Sequence, residues 1–151
     1  MIREDTAESA VAYFLSGYNC AESVLLTMTT HAGITSPLVP KITTPFGGGI
    51  ARSGSVCGCV TGALMYMGIR LGRTKTTDDR EKAYKAATTF LEAFERKFGS
   101  LICFELIGCD FRTPEGNARW IQIKERKCAN FVKGTVKILT ILEKQDVKKV
   151  E

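Results

Sequence analysis

Four of the six cysteines in this chain sit where a thiol can be activated. Cys20 follows Asn19, a good helix N-cap, and would occupy the first helical position. Cys57 follows Ser55 at the head of a Gly-rich helix. Cys103 lies three residues past Ser100, a second cap candidate, and Cys128 lies at or just inside the start of the last amphipathic stretch. A thiol at a helix N-terminus feels the positive end of the macrodipole, which favours the thiolate. Unpaired backbone N–H groups there can also donate to sulfur. Thiolates bind metals, attack disulfides and oxidise, so redox or metal chemistry is expected. The four are expected to converge in space, because helices folded antiparallel bring alternate ends together.

Spacing sorts the cofactors in part. Structural zinc sites commonly use paired Cys-x-x-Cys knuckles, and the closest pair here is Cys57-Gly58-Cys59. Single cysteines delivered by four separate helices suit an iron–sulfur cluster or a thiol relay better, although the usual ferredoxin spacings are absent. Covalent haem is excluded, since there is no Cys-x-x-Cys-His and the only histidine is His31. The first reading is therefore one site of Cys20, Cys57, Cys103 and Cys128 holding an iron–sulfur cluster for electron transfer. The alternatives are a metal-free thiol–disulfide oxidoreductase and a non-enzymatic metal-binding protein, for zinc or copper. In the oxidoreductase Cys57 would attack, with Cys20, Cys59 or Cys103 resolving.

Cys57 is expected to be the most reactive thiol, because the Gly-rich loop can leave it accessible and Arg52 is close in sequence. Cys59 and Cys109 read most simply as buried thiols, a common fate for cysteine. On a helix the side chains of Cys57 and Cys59 would diverge by about 200°. They can both face one site only if the helix begins after them, so Cys59 is expected to be dispensable.

The elements that must position these thiols are helical almost throughout. Thr6–Ser16 carries Ala7, Val11 and Phe14 at helical spacing. Asn19 with Glu22 makes a capping-box pair for a helix running to about Thr30. Gly33 to Pro45 is irregular, broken by Pro37, Pro40 and Pro45. The segment Phe46–Cys59 is Gly-rich and leads into an apolar helix over about Val56–Leu71. Asp78 or Asp79 caps a long helix to Phe98, Ser100 caps a short one over Leu101–Ile107, and Thr113-Pro114 opens another. The last helix aligns Cys128, Phe131, Val132, Thr135, Val136, Leu139 and Leu142. The expected fold is an all-α, single-domain bundle of about six helices spanning residues 1–151, with the Gly-rich loop before the central apolar helix.

Bulk properties narrow the classes. At 151 residues the chain can bury a core without disulfide staples. The net charge of +5 draws on Lys144, Lys148, Lys149 and the run Lys124–Lys127, which read as solvated faces. Aromatic residues are not interleaved with them, so no nucleic acid is expected. The uncharged stretch Ser53–Ile69 is too short and too rich in Gly, Ser and Thr for a membrane span. The opening Met-Ile-Arg-Glu-Asp-Thr-Ala-Glu lacks the basic-then-apolar order of an export signal, so a cytoplasmic location with reduced thiols is expected. The expected partners are a redox protein and, for a homodimer, a second copy of the chain.

Other candidates have plainer readings. Gly47-Gly48-Gly49 lacks the strand, acidic residue and Lys-Ser/Thr of nucleotide loops, and reads as backbone passing close to the cysteines. His31 suits a helix C-terminus. Asp110 suits a turn, and Trp120, Met65 and Met67 suit the core. Arg52 is a candidate partner for a thiolate or an anionic substrate.

Taken together, Cys57-Gly58-Cys59-Val60-Thr61-Gly62 resembles the CGAxxG motif of the C_GCAxxG_C_C family of redox-active proteins. Asn19-Cys20-Ala21-Glu22 is similar to that family's first cysteine region. The segments Cys103–Asp110 and Lys127–Val132 resemble its third and fourth. The resemblance spans about Tyr13 to Leu142. It implies a small helical redox protein with Cys20, Cys57, Cys103 and Cys128 as the defining positions. The chain departs from the motif in carrying Cys59 where the family has Ala, and Cys109 looks additional.

Overall fold

The computed structural model describes residues 3–148. Lys149 of the basic C-terminal face, and Met1 and Ile2 of the opening segment, lie outside them. The described chain forms α1 (Arg3–Leu15), α2 (Cys20–His31), a 3-10 helix (Lys41–Phe46), α3 (Gly58–Leu71), α4 (Glu81–Phe98), α5 (Cys103–Ile107), α6 (Pro114–Ile123) and α7 (Lys127–Lys148). The fold is all-α. Its one β feature among the described residues is an isolated antiparallel bridge between Val56 and Ile102. No helix of the described residues is long and apolar enough to cross a membrane.

The apolar stripes make the bundle. Val24, Leu25 and Met28 of α2, Val60 and Ala63 of α3, Phe90 and Phe94 of α4, and Val132, Val136 and Leu139 of α7 are buried in one core. Each large side chain of this kind contributes about 1.5–3 kcal/mol on burial. The α4 stripe continues as an aromatic ladder: Phe94 to Phe98 at 4.8 Å, and Phe98 to Phe131 of α7 at 5.1 Å. At the far end of the bundle the buried Tyr66 hydroxyl donates to Glu143, and Arg70 donates to both, at 2.9 and 3.1 Å. Burial, then Glu143, pushes the Tyr66 phenol up to about 12, so it stays a donor.

Helix starts differ from the sequence expectation in three places, each because another group meets the first free N–H. The Asn19–Glu22 box forms as expected, with bonds of 2.9 and 2.8 Å. Helix α3, however, begins at Gly58 rather than Val56, because the Cys57 N–H is taken by Leu101 O at 2.9 Å. Helix α5 begins at Cys103 and its cap position is Ile102; the Ser100 hydroxyl instead accepts from Ile102 N and donates to Glu105. Helix α4 begins at Glu81, whose N–H is bonded by the Asp79 carboxylate at 2.8 Å, while Asp78 closes the preceding turn on Thr74 and Lys75. Thr113 and Pro114 start α6 as expected.

Candidate functional site

Two close approaches assemble the cysteines. The first is between α2 and α3. Gly58 and Gly62 lie one turn apart on the face of α3 that meets the start of α2. A Cβ on Gly58 would lie directly against Cys20 Sγ and 3.0 Å from Phe46 O. One on Gly62 would lie 2.7 Å from Ala21 O. Only glycine admits this spacing, and it sets the Cys20 sulfur over the first turn of α3. The second approach is the bridge: Cys57 N donates to Leu101 O at 2.9 Å and Cys103 N to Ser55 O at 2.7 Å, which sets Cys57 and Cys103 diagonally across the Val56–Ile102 pair, on the same face of it.

The Gly-rich loop closes over both. Gly48, Gly49, Ile50, Ala51 and Arg52 run consecutively at φ between 50° and 67°, a left-handed turn. For the three non-glycines this costs roughly 1–2 kcal/mol each. Hydrogen bonds to Pro45 O, Gly47 O, Gly48 O and Gly49 O hold the turn from both ends. Gly49 packs against Cys103, where a Cβ would stand 2.5 Å from the Cys103 Cβ. Upstream, Asn19 Nδ2 donates to Thr44 O at 3.0 Å and Thr44 Oγ1 to Glu22 at 2.6 Å, tying the loop to the head of α2.

The result is one cavity of about 230 Å³ lined by Cys20, Cys57, Cys59, Cys103 and Cys128. Phe14, Leu106, Ile107, Phe111, Trp120 and Phe131 supply its apolar wall; Arg52, Lys124 and Glu125 supply charge. The four expected cysteines thus converge, from the N-terminal ends of α2, α3, α5 and α7. All six thiols are unpaired by disulfides. Among the described residues no three His, Cys, Asp or Glu side chains are gathered closely enough to share one metal ion.

The thiols are not equivalent. The Cys59 S–H donates to the Cys20 sulfur and does most to hold Cys20 down at about 7, helped by the N–H groups of Gly48, Ala21 and Cys20 against the opposing effect of burial. Burial, then its bonds to Cys20 and Cys57, pushes Cys59 well up. Burial, then repulsion from Cys57 and Cys20, pushes Cys103 up. Cys128 is pushed up to about 12 by burial and the Cys20 charge, although the Trp120 N–H donates to its sulfur. The helix ends therefore do not acidify every thiol as expected. Desolvation outweighs the dipole at Cys103 and Cys128, and Cys20 escapes because three backbone donors and one thiol converge on it.

A family model described as "Putative redox-active protein (C_GCAxxG_C_C)" matches residues 18–142. The chain belongs to this C_GCAxxG_C_C family. No curated protein and no solved structure matches it. The C_GCAxxG_C_C match covers all five cavity cysteines, and the glycines of its motif, Gly58 and Gly62, are the two that let α2 and α3 close.

The remaining expectations divide. Cys59 does not point away from the site: α3 begins between the two residues, so Cys57, as its N-cap, turns into the cavity together with Cys59. Trp120, assigned to the core from sequence, lines the cavity and bonds Cys128. Nothing in its apolar surroundings distinguished it. Cys57 is buried, where the Gly-rich loop suggested access, and Cys20 is the more open thiol. Cys109 is buried outside the cavity, its thiol pushed up by burial. His31 ends α2 and meets Thr6 at 3.3 Å. Asp110 makes the expected turn, accepting from Arg112 N at 2.9 Å and from its guanidinium at 2.9 and 3.0 Å.

Proposed function

We propose that this chain is a cysteine-based redox protein whose Cys20, Cys57, Cys103 and Cys128 hold an iron–sulfur cluster and pass electrons to a partner protein. The observation that carries the reading is the single cavity into which four separate helix starts deliver four thiols, with open volume between them. The donor set fits such a group: sulfur ligands, backbone and indole N–H donors to sulfur, and an apolar wall. One zinc ion would hold four thiolates about 2.3 Å from itself, whereas a cluster spreads the same four over several iron atoms. Bound there, a cluster supplies electron transfer at a potential set by its charge, its hydrogen bonds and its exposure. The chain's own residues do the tuning. Gly48 and Ala21 N–H groups donate at Cys20, and Trp120 donates at Cys128. Phe14, Phe111 and Phe131 keep water out, and Arg52 and Lys124 offset negative charge.

Anaerobic purification tests this, with an absorption spectrum and iron and sulfide counts. Coloured protein is expected, losing iron in Cys57→Ala and keeping it in Cys59→Ala. A colourless protein that takes up no iron on reconstitution refutes the cluster. A reversible disulfide through Cys57 in that iron-free protein would turn the reading to a metal-free oxidoreductase, and stoichiometric zinc or copper to a metal-binding protein.

A further inference from the structure

We propose that Cys20 and Cys59 form a thiol–disulfide exchange pair that reduces small, carboxylate-bearing disulfides admitted to this cavity. The inference rests on the redox reading of this cavity but applies to its metal-free form, since Cys20 can hold a cluster or exchange disulfides but not both at once; Cys59 is a fifth thiol that a four-cysteine cluster does not need. The pair arises from the approach of α2 to α3 at Gly58. Gly58 has no Cβ, so the Cys20 sulfur rests on the α3 backbone next to Cys59, and the Cys59 thiol donates to it. Two neighbouring thiols brought by two different helices into one cavity can join in a disulfide where their Cα atoms lie within about 7 Å. Accessibility divides the roles. Cys20 is half-buried and opens on the cavity, while Cys59 is fully buried behind it. An incoming disulfide therefore meets Cys20 first. The cavity also shapes the substrate: about 230 Å³ admits a small molecule, and the lining offers Arg52 and Lys124 against one acidic group, Glu125.

The chemistry balances as a two-electron exchange. The Cys20 thiolate attacks one sulfur of the substrate, forms a mixed disulfide and expels the first substrate thiolate. Cys59 loses its proton to that thiolate and attacks the Cys20 sulfur. The Cys20–Cys59 bond forms and the second substrate thiolate leaves, taking a proton from solvent. The protein loses two electrons, and one disulfide becomes two thiols.

The test uses the reduced 151-residue chain, its iron counted first, and 5,5′-dithiobis(2-nitrobenzoate) as the disulfide. Wild type should release two equivalents of coloured thiolate in the fast phase, and peptide mass spectrometry should find Cys20 joined to Cys59. Cys59→Ala should release one equivalent in that phase and stop with the reagent attached to Cys20. Cys20→Ser should lose the fast phase. Cystamine, a cationic disulfide, should react more slowly than the anionic reagent after each rate is divided by its rate with a free model thiol. A bond mapped to Cys57–Cys59 or Cys20–Cys57, or a second equivalent released by Cys59→Ala at the wild-type rate, overturns the pair. Equal normalised rates for the two reagents overturn the substrate class. Iron counts separate this from the cluster reading: a chain that takes up no iron on reconstitution yet forms the Cys20–Cys59 bond refutes the cluster alone, and a chain that loads iron but never makes that bond once the iron is removed refutes the pair alone.

Discussion

Replacing Gly62 with alanine tests the contact on which the whole site depends. Helix α3 contains its own control. Gly62 and Gly68 are both helical, but a Cβ on Gly68 would meet nothing within 4 Å, whereas one on Gly62 would stand 2.7 Å from Ala21 O, 3.2 Å from Ala21 Cα and 3.3 Å from Ala21 C. All three atoms are backbone, so no rotamer change relieves the clash and α2 must move. Alanine in place of helical glycine gains about 0.8–1.0 kcal/mol of intrinsic propensity at either position. Forcing a methyl into a packed interface costs about 1–3 kcal/mol. Gly68→Ala should therefore be stabilised by up to about 1 kcal/mol. Gly62→Ala should lie about 1–3 kcal/mol below it.

Urea unfolding followed by far-ultraviolet circular dichroism, with reductant present, measures both. In a chain of this size each 1 kcal/mol also moves Tm by about 2–4 °C. The site gives a second readout. Ala21 adjoins Cys20, so a displaced α2 carries the Cys20 sulfur away from Cys59 and from Gly48. Its labelling midpoint should then rise in Gly62→Ala and stay put in Gly68→Ala. Equal stability of the two variants would show that α2 and α3 do not meet at this distance, and the account of how Cys20 reaches the cavity would fall.

Three further outcomes follow from the same geometry. In metal-free protein the alkylation rate of Cys20 should rise with pH and level off above about 7, because the thiolate is the nucleophile and its fraction grows as pH passes the lowered value; Cys128, held near 12, should stay unreactive through neutral pH. A Cys20 midpoint at or above the free-thiol value of about 8.5, read by isotope-coded labelling and mass spectrometry, would contradict this. Trp120→Phe removes the N–H that Cys128 accepts and should cost about 1–2 kcal/mol in urea unfolding; an unchanged midpoint would show that the bond carries no weight. Ala51→Gly relieves a residue held at φ 50° and should stabilise the chain by about 0.5–1 kcal/mol, the left-handed penalty less the added freedom of the unfolded chain; destabilisation in the same assay would mean that the turn is not strained there.

The parts of the molecule that periodicity and capping control could be read from the residues. Asn19 and Glu22 specify the start of α2 by themselves, and the Phe90–Phe94–Phe98 spacing specifies the buried stripe of α4, since both are satisfied within one helix. The four cysteines could be grouped for the same reason: each marks a helix start. What could not be read is set by contacts between segments distant in sequence. The start of α3 moved two residues because Leu101, far along the chain, takes the Cys57 N–H, and that shift alone turns Cys57 and Cys59 into one cavity. Trp120 joined the site through Cys128, not through any neighbour in its own helix.

The Gly-rich loop shows the limit most sharply. Gly48 and Gly49 announce backbone that other residues avoid, but Ile50, Ala51 and Arg52 carry no such sign, because L-residues rarely hold positive φ. They hold it here under constraint from both ends. The loop is bonded to its own start at Pro45 and Gly47, and the residues that follow it are bonded to the Leu101–Phe104 segment. Strain maintained in this way persists only where surrounding structure over-determines it, and such segments cluster at functional sites. In this chain the strained turn presents one N–H, from Gly48, to the Cys20 sulfur and one guanidinium, from Arg52, to the lining of the cavity. A relaxed right-handed turn of the same five residues would aim neither group there. The conformational cost is thus tied to the electrostatics of the most acidic thiol among those with shifted values, and the loop belongs to the site as much as the cysteines do.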